Sequence, residues 1–200
     1  MTPQTDTYDR IVQAARDLIY ARSYADVGVA AICEQANVKK GSFYHFFPSK
    51  QELTLAVLDT FFTEMKTGLL EKAFRPELAP MERLEQLATL TYDFQSHMKT
   101  LTGHVLGCPF GNLASELATQ DEAIRHKVAV IFAKMQSAFE ETLQQAVARG
   151  DISAINVPDT AQAMLAYFEG TILVAKTRNE PELLRQLLPA MTQIRIPAQH

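Results

Sequence analysis

Side chains that donate hydrogen bonds are concentrated between positions 39 and 50, beside a run of aromatic residues. Phe43 and Phe47 are four residues apart, which places both on one face of a helix that starts near Lys39. The outer face of that helix then carries Lys39, Lys40, Ser42, Tyr44 and His45. All of these side chains can donate hydrogen bonds to phosphate oxygens or to base edges. The segment therefore predicts a helix that contacts DNA.

A second short helix is predicted directly before this one. Val29, Ile32 and Ala36 recur at i, i+3 and i+7, which is the spacing of one helix face. Asn37 follows, and asparagine tolerates the left-handed backbone that often ends a helix. The pattern is typical of a helix-turn-helix, in which the second helix enters the major groove of DNA.

The segment Val27–Lys50, VGVAAICEQANVKKGSFYHFFPSK, resembles the helix-turn-helix signature of the TetR family of bacterial transcriptional repressors. It joins an Ala-x-Val turn, a Lys-Gly-x-Phe-Tyr helix and a Phe-x-Ser-Lys start of the next helix in one register. Two departures stand out. Asn37 occupies a position where the family usually has Gly, and Val27 and Gly28 stand where it has a Thr or Ser N-cap.

The resemblance implies roles for single residues of the second helix. Tyr44 and Lys50 match the family's phosphate contacts, while Ser42 and His45 are the expected readers of base edges. Lys39 and Lys40, at the start of the helix, can reach phosphates or guanine edges. Gly41 has no Cβ, so the helix can approach the DNA backbone closely at that point.

The chain has 200 residues, of which 47% are hydrophobic and 21% charged, as expected for a globular protein with a sizeable core. We predict a DNA-binding domain at residues 1–50 and a domain for dimerisation and effector binding at residues 51–200. The first domain carries six Lys and Arg against five acids, a net charge of +1. Because the whole chain has a net charge of −4, the second domain carries −5. DNA binding by such a small basic face should depend on salt.

The periodic segments predict an all-α fold of about nine helices, with three in the DNA-binding domain. Ser49 is the expected N-cap of the fourth helix, which should run to about Lys72, and the last helix should span about Pro181–Ile194. No apolar run is long enough to cross a bilayer and the N-terminus has no signal-peptide pattern, so we expect a cytoplasmic protein with both cysteines reduced. No metal-ligand spacing appears, and no cofactor is expected.

The last two predicted helices carry more large apolar residues than one domain's core requires. We therefore predict that they pair with the same helices of a second copy across a two-fold axis. The residues expected in this homodimer interface are Met164, Phe168, Ile172, Leu184, Leu187, Leu188 and Met191.

The predicted effector domain also offers aromatic and histidine side chains for a small-molecule pocket, namely Tyr92, His97, Phe110, Phe132 and Tyr167. Cys108, in a Gly-Cys-Pro junction, and Lys176, late in a following helix, together resemble the electrophile- and oxidant-sensing branch of the family, whose type is the N-ethylmaleimide reductase repressor. This resemblance implies that an ammonium group near Cys108 lowers the pKa of the thiol and makes it reactive. The alternative interpretation is that Cys108 is a small buried apolar residue and Lys176 a surface lysine.

The sequence thus predicts a repressor that is released from a palindromic operator by a small-molecule, electrophile or oxidant signal, with Cys108 as the candidate sensor. The first alternative is a repressor with a reversible apolar ligand and an inert Cys108. A small helical enzyme is a remote alternative, because no nucleophile-base pair, phosphate loop or carboxylate dyad is present in the sequence.

Overall fold

The computed structural model describes residues 3–198, and side chains from residue 6 onward. The regular structure in this range is helical, apart from one isolated β-bridge between Ile155 and Pro197. The prediction of an all-α fold is therefore confirmed. Its helices are α1 (Pro3–Ala21), α2 (Val29–Gln35), α3 (Lys40–Phe46), α4 (Lys50–Met65), α5 (Pro80–Thr102), α6 (Pro109–Leu117), α7 (Glu122–Arg149), α8 (Val157–Arg178) and α9 (Glu182–Leu187).

Two helices differ from their predicted course. Helix α4 ends at Met65 and continues through a π-helical turn, Lys66–Leu70, into one more α-helical turn, Glu71–Ala73. Helix α9 ends at Leu187, and a 3₁₀ segment, Leu188–Gln193, follows it. Pro189 explains the second difference, since proline has no backbone N–H to continue the α-helical hydrogen bonds.

Several helix ends are fixed by local hydrogen bonds of capping residues, which can be recognised in the sequence. The Glu52 backbone N–H donates to the Ser49 hydroxyl at 3.1 Å, which confirms Ser49 as the N-cap of α4. Asp121 caps α7 in the same way, because its Oδ1 accepts from the Ile124 N–H at 3.0 Å. Gly103 ends α5 with a left-handed φ of 80°. These capping residues therefore determine where each helix stops and the next loop begins.

The described residues form two compact units. The first, here called the head unit, contains the described residues up to Glu64 together with Pro109–Ala129. The second, the body unit, contains Met65–Cys108 and the described residues from Val130 onward. The assignment of DNA binding to residues 1–50 and of effector binding and dimerisation to residues 51–200 stays a prediction, and α6 is a part of the head unit that the sequence did not indicate.

Each unit has its own apolar core. In the head unit, Phe61 lies edge-on to the rings of Tyr20 and Phe110, at centroid distances of 5.3 and 6.4 Å. In the body unit, Phe139 of α7 contacts Phe168 of α8, surrounded by buried leucines and methionines of α5, α8 and α9. Burial of one such side chain stabilises a fold by about 1.5–3 kcal/mol.

Candidate DNA interface and effector site

The turn between α2 and α3 is fixed by backbone hydrogen bonds. Asn37 has a left-handed φ of 51°, which confirms the conformation predicted for it. The Asn37 N–H donates to the Glu34 carbonyl at 3.0 Å, and the Val38 N–H donates to the Cys33 carbonyl at 2.9 Å. This is the Schellman pattern of a helix C-terminus, and it sets the direction in which α3 leaves the turn.

Arg10 of α1 holds the same turn from the other side. Its guanidinium donates to the Ala36 carbonyl at 2.6 and 3.0 Å and to the Asn37 carbonyl at 2.7 Å. A cation is favourable at this place because the carbonyls that end a helix carry partial negative charge. Sequence reasoning missed this role for Arg10, since its partners lie 26 and 27 positions away.

Helix α3 has the two faces that its sequence predicts. Phe43 and Phe47 are buried, whereas Lys39, Lys40, Gly41, Tyr44 and His45 are exposed and Ser42 is half-buried. Lys39 and Lys40 form no ion pair with any of the described residues. A Cβ added to Gly41 would meet no atom within 4 Å, so this side of the helix is open. The arrangement leaves donors and two positive charges at the start of α3.

Lys50 is placed differently from the other predicted DNA contacts. Its ammonium group lies 3.8 Å from the centroid of the Tyr24 ring and donates to the Tyr24 carbonyl. Burial lowers the pKa of Lys50, and the Glu116 carboxylate partly offsets this effect. A lysine held in this way stabilises the loop between α1 and α2.

Glu116 of α6 anchors that loop, and sequence reasoning missed it. Its carboxylate accepts from the Tyr24 N–H at 3.0 Å and from the Ala25 N–H at 2.6 Å. These two donors precede α2 and have no helical partner of their own. Since Glu116 and Tyr24 are 92 positions apart, no local pattern could have revealed the contact.

The residues predicted for a dimer interface require a correction. Six of the seven are buried in the body unit's own core: Met164, Phe168, Ile172, Leu184, Leu188 and Met191. Only Leu187 is exposed, at 39%. The core uses the apolar face of both helices, because α8 and α9 pack against each other and α9 also packs against α5. The apolar side chains left on the outside of α8 are Leu173 and Val174.

The predicted effector residues do not all come together. Tyr92, Phe132 and Tyr167 pack against the body core, as Cys108 does. His97 is exposed on α5. Phe110 is buried against Phe61 in the head unit, so it belongs to a different core from the other four.

Cys108 has an ionisable neighbour that the sequence did not indicate. Its thiol is hydrogen-bonded to the carboxyl group of Glu169 on α8, and burial raises the pKa of that carboxyl to about 7. Glu169 Oε1 is shielded from solvent and finds no hydrogen-bond partner among the described residues. The pairing of Cys108 with Lys176 stays a prediction. Burial raises the pKa of Cys33, the other thiol, which lies within the head unit.

Within residues 3–198, we find no cluster of three or more His, Cys, Asp or Glu side chains arranged to bind a metal ion. The same range contains no helix with the length and apolar character needed to span a membrane.

Comparison with protein families identifies both parts of the chain. Residues 11–57 match the family "Bacterial regulatory proteins, tetR family", and residues 80–191 match "Tetracyclin repressor-like, C-terminal domain". The transcriptional regulator AcuR of Cereibacter sphaeroides is 30% identical over 179 residues, which cover 88% of this chain and 80% of AcuR.

Solved structures agree with this result. A regulatory protein TetR from Rhodobacter sphaeroides superposes with a TM-score of 0.82 at 28% identity, over 95% of this chain and 99% of that one. The reduced form of NemR from Escherichia coli superposes with a TM-score of 0.79 over 96% of this chain and all of that one, and at 21% identity this likeness shows the fold alone. Members of the matched family regulate transcription and are not enzymes. The chain belongs to the TetR family of DNA-binding transcriptional regulators.

Proposed function

We propose that the protein is a homodimeric repressor that binds a palindromic operator through the outer face of α3. The observation that carries this proposal is the presence of two lysines without an ion-pair partner among the described residues, Lys39 and Lys40, at the start of a helix whose orientation is fixed by Arg10. Gly41, Tyr44 and His45 share the exposed surface, with Ser42 at its edge. One such helix per protomer reads one half-site, so two-fold symmetry of the protein calls for two-fold symmetry of the operator.

The dimer surface that we propose is the outer side of α8 with the adjoining part of α9. Ala166, Gly170, Leu173 and Val174 are exposed on α8 at spacings of three and four, so they form one stripe. Leu187 adds an exposed apolar side chain from α9. Small residues allow two copies of α8 to approach closely, and the leucines and valine supply apolar area to bury.

We further propose that the signal is read in the body unit, at Cys108. An adduct or an oxidised sulfur at this position adds volume beside Glu169, against the body core. The names of relatives such as NemR of Escherichia coli describe transcriptional repressors, which supports repression as the mode of action. A regulator of this type acts in the cytoplasm, where thiols stay reduced until a signal modifies them.

A reversible ligand is the second candidate for the signal. The observation that favours it is a pair of solvent-shielded polar atoms, Ser96 Oγ and Glu169 Oε1, neither of which has a hydrogen-bond partner among the described residues. Such atoms can anchor an apolar molecule that carries a hydrogen-bond donor. Cys108 would then be inert.

One experiment tests both levels of the proposal. The protein is used to select a duplex from a randomised pool, and a gel-shift assay then follows that duplex with and without a quinone or a maleimide. We expect a palindromic duplex that is released by the electrophile from the parent and from Cys33→Ser, but not from Cys108→Ser. Release from Cys108→Ser as readily as from the parent would contradict sensing at Cys108 and favour the reversible ligand. Selection of a non-palindromic duplex would contradict the dimeric mode of binding.

A further inference from the structure

The backbone beside Cys108 is held in place through Gly107, its neighbour in the chain. Gly107 has a left-handed φ of 81°, and its N–H and carbonyl both bind the buried side chain of Gln95. The Gly107 N–H donates to Gln95 Oε1 at 3.1 Å, and Gln95 Nε2 donates to the Gly107 carbonyl at 2.9 Å. This reciprocal pair holds the backbone beside Cys108, whose thiol is hydrogen-bonded to Glu169.

Glu169 is unusual among the carboxylates of the chain because its charge is poorly compensated. Desolvation raises its pKa to about 7, and the hydrogen bond with Cys108 lowers the pKa only in part. Two charged groups of the body unit have partners of their own: Lys99 donates to the Asn179 carbonyl at 2.7 Å, and Glu182 lies beside Arg185 and Tyr92. Lys176, further along α8, also has an interaction of its own. Near neutral pH, Glu169 therefore exists in both protonation states.

We propose that Glu169 is the proton acceptor that makes Cys108 reactive towards conjugated carbonyl compounds such as quinones and enones. The inference rests on the proposed sensing role of Cys108 and adds to it a second residue with a chemical task. A thiol-carboxylate hydrogen bond already points the proton along the path that its transfer must take.

The reaction balances without any further reagent. The sulfur forms a bond to the β-carbon of the conjugated carbonyl compound, and the S–H proton passes to the Glu169 carboxylate. The electron pair of the C=C bond moves onto the carbonyl group to give an enolate. The enolate then takes a proton from the Glu169 carboxylic acid, which restores the carboxylate and leaves a saturated thioether.

The burial of Glu169 favours this proton transfer, because it reduces the pKa difference between the thiol that gives the proton and the carboxylate that accepts it. An ordinary glutamate, with a pKa of about 4.3, would take a proton from a thiol of about 8.5 with an equilibrium disfavoured by a factor of about 10,000. With the Glu169 value of about 7, that factor falls to about 30. Cys33 has no carboxylate partner among the described residues and a pKa raised by burial, so it should remain the slower thiol.

The test is the pH dependence of alkylation, read separately at the two cysteines by mass spectrometry after short exposure to a maleimide. For Cys108 of the parent we expect the rate constant to rise with an inflection near pH 7 and to rise again at the higher pH where the thiol itself ionises. Glu169→Gln keeps the size of the side chain but removes the acceptor. It should lose the lower inflection and react about tenfold more slowly at neutral pH, a loss at the low end for removal of a general base.

A matched variant separates this role from a structural one. Ser96→Ala alters the other shielded polar atom and should keep both inflections. The assignment is overturned if Glu169→Gln retains the inflection near pH 7 or if the parent shows only the higher rise.

The parent's profile keeps the proposal testable even if one variant does not fold. DNA release is scored apart from labelling. Slow labelling of Glu169→Gln followed by normal release of the labelled protein supports the base and the sensor together. Release of unlabelled Cys108→Ser by the electrophile contradicts the sensor alone.

Discussion

Replacement of Glu116 by alanine should weaken the head unit measurably, because one carboxylate there performs several tasks. It accepts hydrogen bonds from the Tyr24 and Ala25 N–H groups and offsets the desolvation of Lys50. In Glu116→Ala both backbone donors are left without their acceptor, and Lys50 loses the carboxylate that raises its pKa. The loop that leads into α2 then keeps the interaction between Lys50 and Tyr24 and the hydrogen bond from the Asp26 N–H to the Ser23 hydroxyl.

The size of the effect follows from the kind of bond that is removed. A hydrogen bond to a charged group contributes about 1.5–3 kcal/mol when buried. Glu116 is half-buried and water can replace part of the bonding, so we expect about 2 kcal/mol for the two bonds together. For a chain of 200 residues, this lowers the midpoint of thermal unfolding by about 4–8 °C. Glu116→Gln keeps one acceptor oxygen and should be destabilised about half as much.

Thermal unfolding followed by circular dichroism measures the loss of stability, and fluorescence anisotropy with the selected duplex measures DNA affinity. Glu122→Gln is the control, since Glu122 is an exposed partner of Arg125 on α7 and should melt as the parent does. We expect Glu116→Ala to bind the duplex more weakly at a temperature where it is still folded. An unchanged midpoint together with unchanged affinity would refute the view that Glu116 positions the loop before α2.

Three further predictions use different observables. Lys40→Ala should reduce the slope of log affinity against log salt by about one, as expected when the protein neutralises one phosphate fewer, whereas Lys50→Ala should mainly lower the midpoint of thermal unfolding. Leu173→Asp should give monomers in sedimentation, while Leu101→Asp, at a similarly open site on α5, should remain dimeric. The folded protein binds the Glu169 proton more tightly than the unfolded chain, since its pKa rises to about 7. The parent's free energy of unfolding should therefore fall by up to about 3 kcal/mol, relative to Glu169→Gln, as pH rises from about 5 to above 7.

The parts of the head that sequence predicts are those encoded locally. The spacing of Phe43 and Phe47 fixes the buried face of α3, and the outer face follows by exclusion. Asn37 and Ser49 mark a helix end and a helix start through hydrogen bonds that span three to five residues. Hydrogen bonds of this kind join residues that are close in the sequence, so the motif can be recognised without knowledge of the fold.

The parts that sequence could not predict depend on contacts between distant segments. Arg10, Glu116 and Glu169 are ordinary charged residues on predicted helices, and only the fold brings each of them to its partner. The sequence could not separate dimer residues from core residues for a related reason. Helix α8 has apolar side chains on more than one face, so composition alone could not tell Phe168, which the core uses, from Leu173, which it leaves exposed.

The connection at Cys108 suggests how the proposed signal can reach the DNA-binding helices. The chain passes from the body unit to the head unit at the bond between Cys108 and Pro109, and α6 begins there. Glu116 lies about two turns along that helix and binds the loop before α2. If an adduct at Cys108 shifted the first turn of α6, the Glu116 carboxylate on the same helix would shift with it. The stretch of chain between the proposed sensor and the carboxylate that binds the loop before α2 is therefore the single helix α6.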